Sequence, residues 1–435
     1  MHLERTKSVL EESLGMEYYS CHFEGSGGRL RQVPEDFVVE EITPEGVIMG
    51  EETRSLDRGE GAYTLALLKK KSRDLIPAIN AIAKRLRASV SFAGIKDRRA
   101  VTYQLISVHA PAQQKDMPQG IEGISLRVLG RSKYPVEPGD LKGNRFTITI
   151  RSIQDGPLPQ ISDCWLLNYF GHQRFGTARP NTHKIGRLLI KRDYEGAVRE
   201  FLAEPYPTEP AASRAARESL KSGWDLLKSI REFPPGLAYE RHLMARLIRG
   251  QLSYEMALKA LPATILRLFI DSYQSYLFNR ALSLRAEEAI SRRIGIGDYV
   301  SPMDLWGSPS RPIRCDSSNE ERLRRMVSSG KAVVMMRVVG SRGVATTVEG
   351  DAYLSIMEEE GISQSDFRSI LGMSFEGTLR PTLVRPIDFS SSIMEDDLNH
   401  GMRKAAVKFS LPKACYATVV LRELMRPEDP LSAGY

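Results

Sequence analysis

The stretch from 264 to 290, TILRLFIDSYQSYLFNRALSLRAEEAI, contains no glycine and no proline, and so predicts one long helix. The first third of the chain has a different texture. Residues 145–150, RFTITI, alternate strictly, which sets Phe146, Ile148 and Ile150 on one face of a strand and Thr147 and Thr149 on the other. VSFAG (90–94) and VTYQLISVHA (101–110) read as two more strands, and RLRQVPEDFVVEEI (29–42) as an extended segment with a turn at Pro34. SRDLIPAINAIAKRLR (72–87) reads as an amphipathic helix capped by Ser72, with Ile76, Ile79, Ala83 and Leu86 along one face. Beyond the long helix, 295–318 gathers glycine, proline and serine and reads as loop with short strands. KAVVMMRVV (331–339) reads as a buried strand, FEGTLRPTLVRP (375–386) as a connector, and YATVVLREL (416–424) as a final strand. The expectation is an α+β fold, in which a mixed sheet domain is interrupted by a mostly helical one and resumes at the C terminus.

A length of 435 residues favours two domains over one. Lys and Arg number 61 against 54 Asp and Glu, a formal charge of +7, which permits a nucleic-acid partner without requiring one. The four cysteines, Cys21, Cys164, Cys315 and Cys415, form no CxxC pair, so they read as reduced, packed thiols rather than a zinc or redox motif. The N-terminal segment is charged and lacks an apolar core, and no uncharged apolar run is long enough to span a bilayer. The cytosol is the default compartment.

Two segments carry chemistry. In GIKDRRAVTYQ (94–104), Asp97 sits among Lys96, Arg98 and Arg99, in a polar connection between two apolar strands. Cations beside a carboxylate favour its ionised form, as a nucleophile or base needs, and the same cations suit phosphate. An ordinary charged turn would read the same way. The second segment, NYFGHQRFGTARPNTHKIGRLLIKR (168–192), has six Lys or Arg and no Asp or Glu, with Tyr169, Phe170 and Phe175 interleaved. Aromatic rings among cations suit base stacking and phosphate neutralisation, with Arg174 and Arg179 as candidate contacts, although a locally packed basic helix would share that composition. His172 and His183 match no common metal spacing and read as exposed or structural. GEG (59–61) is too short for a phosphate loop, and GxxxxGK[ST], GxGxxG and GxSxG are absent, so no cofactor and no metal are expected.

Taken in order, PEDFVVEE (34–41), GEG (59–61), AGIKDRRAVTYQ (93–104), LKGNRFTI (141–148), NYFGHQRFG (168–176), SYQSYLFNRAL (272–282), LRPTLVRP (379–386) and FSLPKACYATVVLREL (409–424) resemble the TruD family of tRNA pseudouridine synthases over nearly the whole chain. The resemblance implies a circularly permuted pseudouridine synthase domain with a mixed, mainly antiparallel sheet, at 1–165 plus 385–435, and a large inserted TRUD domain at 166–384. It also implies isomerisation of a uridine in tRNA, position 13 foremost, with no cofactor. Position by position, Asp97 matches the catalytic aspartate, and Phe37, Asn144, Phe146 and Tyr416 match substrate-pocket residues. Arg31 matches a basic position near the carboxylate that is often Lys in relatives. Lys96, Arg98, Arg99, Arg174 and Arg179 are candidate RNA contacts. The chain departs from the family pattern at Ala414, where relatives often carry Gly. A non-catalytic RNA-binding protein on the same scaffold is the alternative reading. A nuclease would show clustered carboxylates and a methyltransferase a glycine-rich cofactor loop, and neither stands in a convincing context.

Overall fold

The alternating run at 145–150 lies inside an eleven-residue strand whose Phe146, Ile148 and Ile150 face a buried core. The computed structural model describes residues 3–110, 112–118, 120–153, 156–250, 253–342 and 348–435, with backbone alone at 348–351. In it the first six strands are β1 (Phe37–Ile42), β2 (Tyr63–Lys71), β3 (Val90–Phe92), β4 (Val101–Val108), β5 (Ile124–Ser132) and β6 (Gly143–Ile153). A C-terminal hairpin, Ile387–Glu395 and Arg403–Pro412, completes an eight-stranded sheet. Across it the order is Ile387–Glu395, Arg403–Pro412, β6, β1, β4, β2, β5, with β3 beside the C-terminal half of β4. The pairings are antiparallel except that of β1 with β4. The parallel pair brings the start of β4 beside the start of β1, so the loop from β3 to β4 opens next to Phe37.

Helix Leu75–Leu86 covers one face of this sheet, packing Leu75, Ile79 and Ile82 against Ala66, Leu68 and Ile106. Asp74, not Ser72, stands at its N-cap position, and Ser72 lies in the left-handed region at φ 53°. Of the face expected from sequence Ile79 is buried, Ala83 and Leu86 are half-buried, and Ile76 is exposed. Apolar residues occupy more than half of this helix's circumference, so contact with the sheet decides which stripe is buried.

The segment 416–424 is a helix, Ala417–Met425, not a strand, and all nine of its residues are buried. Val420, Leu421 and Leu424 join Phe146, Ile148 and Phe409 beneath the sheet, while Val419 joins the core of the helical region. Buried in the same helix, Arg422 donates through Nε to Glu11 Oε2 at 2.8 Å, and Glu423 accepts the Ser20 N–H at 2.9 Å. A strand has two faces, whereas this segment meets the sheet, the N-terminal segment and the helical region. Only a helix presents side chains all round.

The long helix spans Ala263–Leu284, breaks at Arg285 and resumes as Ala286–Ile290. Its core includes Leu3, Leu14 and Met16 from the N-terminal segment. Strands at Tyr299–Pro302, Ile313–Arg314, Ala332–Val338 and Thr378–Pro381 form a second, antiparallel sheet. The expected connector 375–386 thus supplies an edge strand of that sheet, and its Leu383–Val384 pairs with Leu166–Leu167. Among the described residues no helix is long and apolar enough to cross a membrane.

Candidate active site

Asp97 is presented by a loop that four side chains hold in place. Lys96 turns inward and meets Glu41 Oε2 at 2.6 Å, both groups buried. Glu41 also accepts the Leu105 N–H through Oε1 at 3.1 Å. Lys70, on β2, donates to the Asp97 main-chain oxygen at 2.5 Å and is 0% exposed; burial pulls its ammonium down to about 8. Arg31 reaches Asp97 Oδ2 through Nη2 at 3.4 Å and donates through Nη1 to the Gly434 carbonyl at 2.8 Å. Its guanidinium lies 4.0 Å from the centre of the Phe37 ring. Arg99 in turn donates to the Arg31 carbonyl at 3.2 Å. Arg31 adopts φ 54°, a left-handed conformation that costs about 1–2 kcal/mol in a residue with a side chain. The contacts its side chain makes there offset that cost.

The Asp97 carboxylate, about a third exposed, faces a cavity of about 320 Å³. Phe37, Asn144, Phe146 and Tyr416 line the same cavity, with Val39, Gln173 and Thr418. Strand alternation explains the sheet side of this wall. Phe37 and Val39 share one face of β1, Asn144 and Phe146 share one face of β6, and Val39 lies opposite Phe146 in the ladder. The rings of Phe37 and Phe146 meet edge-on at 6.3 Å, and Phe409 backs Phe146 at 5.5 Å. Phe146 is therefore both core and cavity wall. Asn144 Oδ1 and Thr418 Oγ1 are buried and have no hydrogen-bond partner among the described residues.

Tyr416 comes from the opposite side, at the N-cap of the C-terminal helix. The bend before it needs Ala414 at φ 64°, the position where glycine was noted as the commoner residue. Arg380 Nη1 holds the Ala414 carbonyl at 2.6 Å, and the Arg380 guanidinium lies over the Phe170 ring at 4.1 Å.

The cations expected to meet RNA divide by their partners. Lys96 turns inward to Glu41 and also lines the cavity that Asp97 faces. The Nη atoms of Arg179 donate to the carbonyls of Phe201, Glu200 and Glu204 at 2.9–3.0 Å, closing the end of helix Tyr194–Ala203. Arg98 and Arg99 remain exposed. Arg174 is half-buried, donates through Nε to Ser275 Oγ at 3.1 Å, and lines a second cavity of about 590 Å³. His172 and His183 are both structural: His172 Nε2 lies 3.2 Å from Glu11 Oε1, and burial pulls His183 down to about 3. All four cysteines are free. Among the described residues no group of three or more His, Cys, Asp or Glu is placed to hold a metal ion.

The residues missed in the sequence are Lys70, Gln173 and Thr418. Lys70 carried a signal. It alternates with Ala66 and Leu68 on the buried face of β2, where a lysine is unexpected without a task. Thr418 was hidden by reading its helix as a strand.

Asp97, braced by Arg31 and Lys70, faces a cavity walled by aromatic rings on an α+β scaffold, an arrangement suited to holding a flat ring beside a carboxylate. The chain belongs to the family tRNA pseudouridine synthase D (TruD), whose model matches residues 13–424. It is thus an isomerase of uridine in tRNA. It is similar to the curated "Probable tRNA pseudouridine synthase D" of Methanosarcina acetivorans, with 35% identity covering 97% of this chain and 98% of the relative. The protein of the same description from Thermococcus sibiricus is 35% identical, covering 94% and 97%. A crystal structure of the TruD-type chain of Methanosarcina mazei superposes with a TM-score of 0.78 at 33% identity, covering 99% of this chain and 100% of that one.

Proposed function

We propose that Asp97 is the catalytic carboxylate of this isomerisation, acting on a uridine flipped into the 320 Å³ cavity, with uridine 13 of tRNA as the first target. The observation that carries the reading is the meeting of Asp97 with Phe37, Asn144, Phe146 and Tyr416 around one space. In the reaction the N1–C1′ bond breaks, the uracil turns, C5 bonds to C1′, and the C5 hydrogen leaves as a proton while N1 gains one. Asp97 attacks the sugar or the base, or removes a ribose proton, and each role requires an ionised carboxylate aimed at the nucleoside. Arg31 and Lys70 supply the aim, one at the carboxylate and one at the main chain. Asn144 Oδ1 accepts the uracil N3–H, a donor that cytosine lacks. Phe37, Phe146 and Tyr416 exclude water from the turning base.

The sheet unit at 1–165 plus 385–435 performs the chemistry in this reading, and the insertion at 166–384 grips the body of the tRNA. All eight strands of the larger sheet lie within the first unit and all four of the smaller sheet within the second, which supports the division. Residues 3–16 nonetheless pack on the core of the insertion. We place the enzyme in the cytosol with its tRNA. The test is to map pseudouridine in a tRNA transcript after treatment with wild type and with Asp97→Asn. Conversion of uridine 13 by the wild type alone is expected. Turnover by the mutant overturns the role of Asp97, and modification at another site moves the target.

A further inference from the structure

A buried hydroxyl without a partner carries its desolvation penalty uncompensated, so its place in a pocket wall calls for a reason. Two of the unpartnered buried side-chain oxygens line the candidate pocket, Asn144 Oδ1 and Thr418 Oγ1. Thr418 is the second residue of the C-terminal helix and is 2% exposed. A threonine inside a helix commonly bonds the carbonyl one turn earlier. This helix begins at Ala417, so no earlier turn exists, and Arg380 holds the Ala414 carbonyl four residues back.

The inserted region comes up against this hydroxyl at a glycine. Gly171 approaches so closely that a Cβ there would lie 2.7 Å from Thr418 Oγ1 and 3.3 Å from Tyr416 Cβ. Its φ of −75° suits any residue, so the close approach alone demands glycine. A side chain at 171 would press on the hydroxyl and on the Tyr416 ring together.

We propose that the Thr418 hydroxyl is a substrate-binding group that donates a hydrogen bond to a carbonyl oxygen of the flipped uracil, while Asn144 accepts N3–H. Two contacts from opposite walls, one from β6 and one from the C-terminal helix, hold the ring at its edge and orient it for its turn. The inference deepens the reading of the cavity as a uridine pocket and rests on it.

The test uses the full-length enzyme as Thr418→Val, which keeps the shape and removes the hydroxyl, and as Thr418→Ser, which restores it. Substrates are tRNA transcripts with uridine, 2-thiouridine or 4-thiouridine at the target, since a thiocarbonyl is a poor acceptor. For Thr418→Val the expected result is an unfolding midpoint unchanged or raised, an unchanged Kd for tRNA, and turnover lower by roughly 10–100-fold. Thr418→Ser is expected within about 3-fold of wild type. One of the two thio substitutions should slow the wild type and slow Thr418→Val no further. Wild-type turnover in Thr418→Val overturns the proposal, and so does a loss of stability alongside activity. Equal slowing of both enzymes by both thio substrates also overturns it. Asp97→Asn run in parallel separates the two claims: failure at Thr418 with Asp97→Asn inactive leaves the catalytic reading standing.

Discussion

In the loop between β3 and β4, two of three cations serve the loop itself: Lys96 pairs with Glu41, and Arg99 holds the Arg31 carbonyl. In the stretch 174–192 three of the six cations tie other parts of the fold together. Arg179 closes helix Tyr194–Ala203, Arg187 pairs with Glu360, and Arg192 donates toward the carbonyls of Arg368 and Ser369. Arg174 differs, lining the 590 Å³ cavity that shares Lys413, Ala414 and Cys415 with the cavity beside Asp97. The two regions have the same charge texture, but the first braces the loop that carries Asp97 and the second ties helices together, with Arg174 left at a cavity rim. A cation turned inward onto carbonyls or a buried carboxylate positions the fold; one at a cavity rim has donors that a ligand can reach.

The strongest attempt to break this contrast is at its centre. Asp97→Asn should lower pseudouridine formation by at least ~10³-fold while unfolding and tRNA binding stay near wild type, read by release of tritium from C5-labelled uridine in tRNA. Next is the brace beneath it. Lys70→Met should cut turnover by ~10–100-fold at unchanged tRNA Kd, because the Asp97 peptide loses its donor. Since burial lowers the folded pKa of Lys70 to about 8, below its unfolded value near 10.5, the penalty for the buried ammonium is present below pH 8 and is relieved between 8 and 10.5. Stability attributable to Lys70 therefore rises with pH over that window, whereas turnover falls through pH 8 as the charge facing Asp97, Asp74 and Lys96 is lost. Lys70→Met should lack that alkaline limb, and a pH–rate profile that keeps it would assign the limb to another group.

The helical side offers a paired test. Arg179→Met should destabilise by ~1–3 kcal/mol in urea, since carbonyls at the end of a helix lose their donors, and leave the salt dependence of tRNA binding unchanged. Arg174→Met should do the reverse, leaving stability within ~0.5 kcal/mol and reducing the log–log salt slope by ~0.7–0.9. A flattened slope in Arg179→Met would erase the distinction between the two arginines. The smallest effect is at Ala414, whose left-handed backbone glycine adopts freely. Ala414→Gly should stabilise by no more than ~1 kcal/mol, as relief of strain is partly offset by the freer unfolded chain. A destabilised variant would show that the Ala414 methyl packs more than its backbone strains.

The alternating run at 145–150 was legible because a half-buried strand has one period, and the long helix because twenty-seven residues without glycine or proline leave little else. The Asp97 loop was legible because a polar turn between two apolar strands must reach the surface of a sheet. The C-terminal helix was not, since its Thr418, Arg422 and Glu423 are as buried as its apolar residues, and the partners that make this possible come from residues four hundred positions away, such as Glu11 and Ser20. Nor were the fates of Lys96 and Arg179 legible, because a cation in a sequence shows its charge and not its partner.

What the amino-acid sequence determined by itself is therefore local or shared with relatives: the strand periods, the unbroken helix, the family motifs and the types of residue in the pocket. What only the tertiary structure decided is which of those groups end up unpaired. Thr418 and Asn144 bring buried oxygens without a partner among the described residues to the cavity wall, whereas Lys96 turns to Glu41 and the Arg179 Nη atoms to a helix end, because hydrogen bonds and burial depend on neighbours that chain order does not reveal.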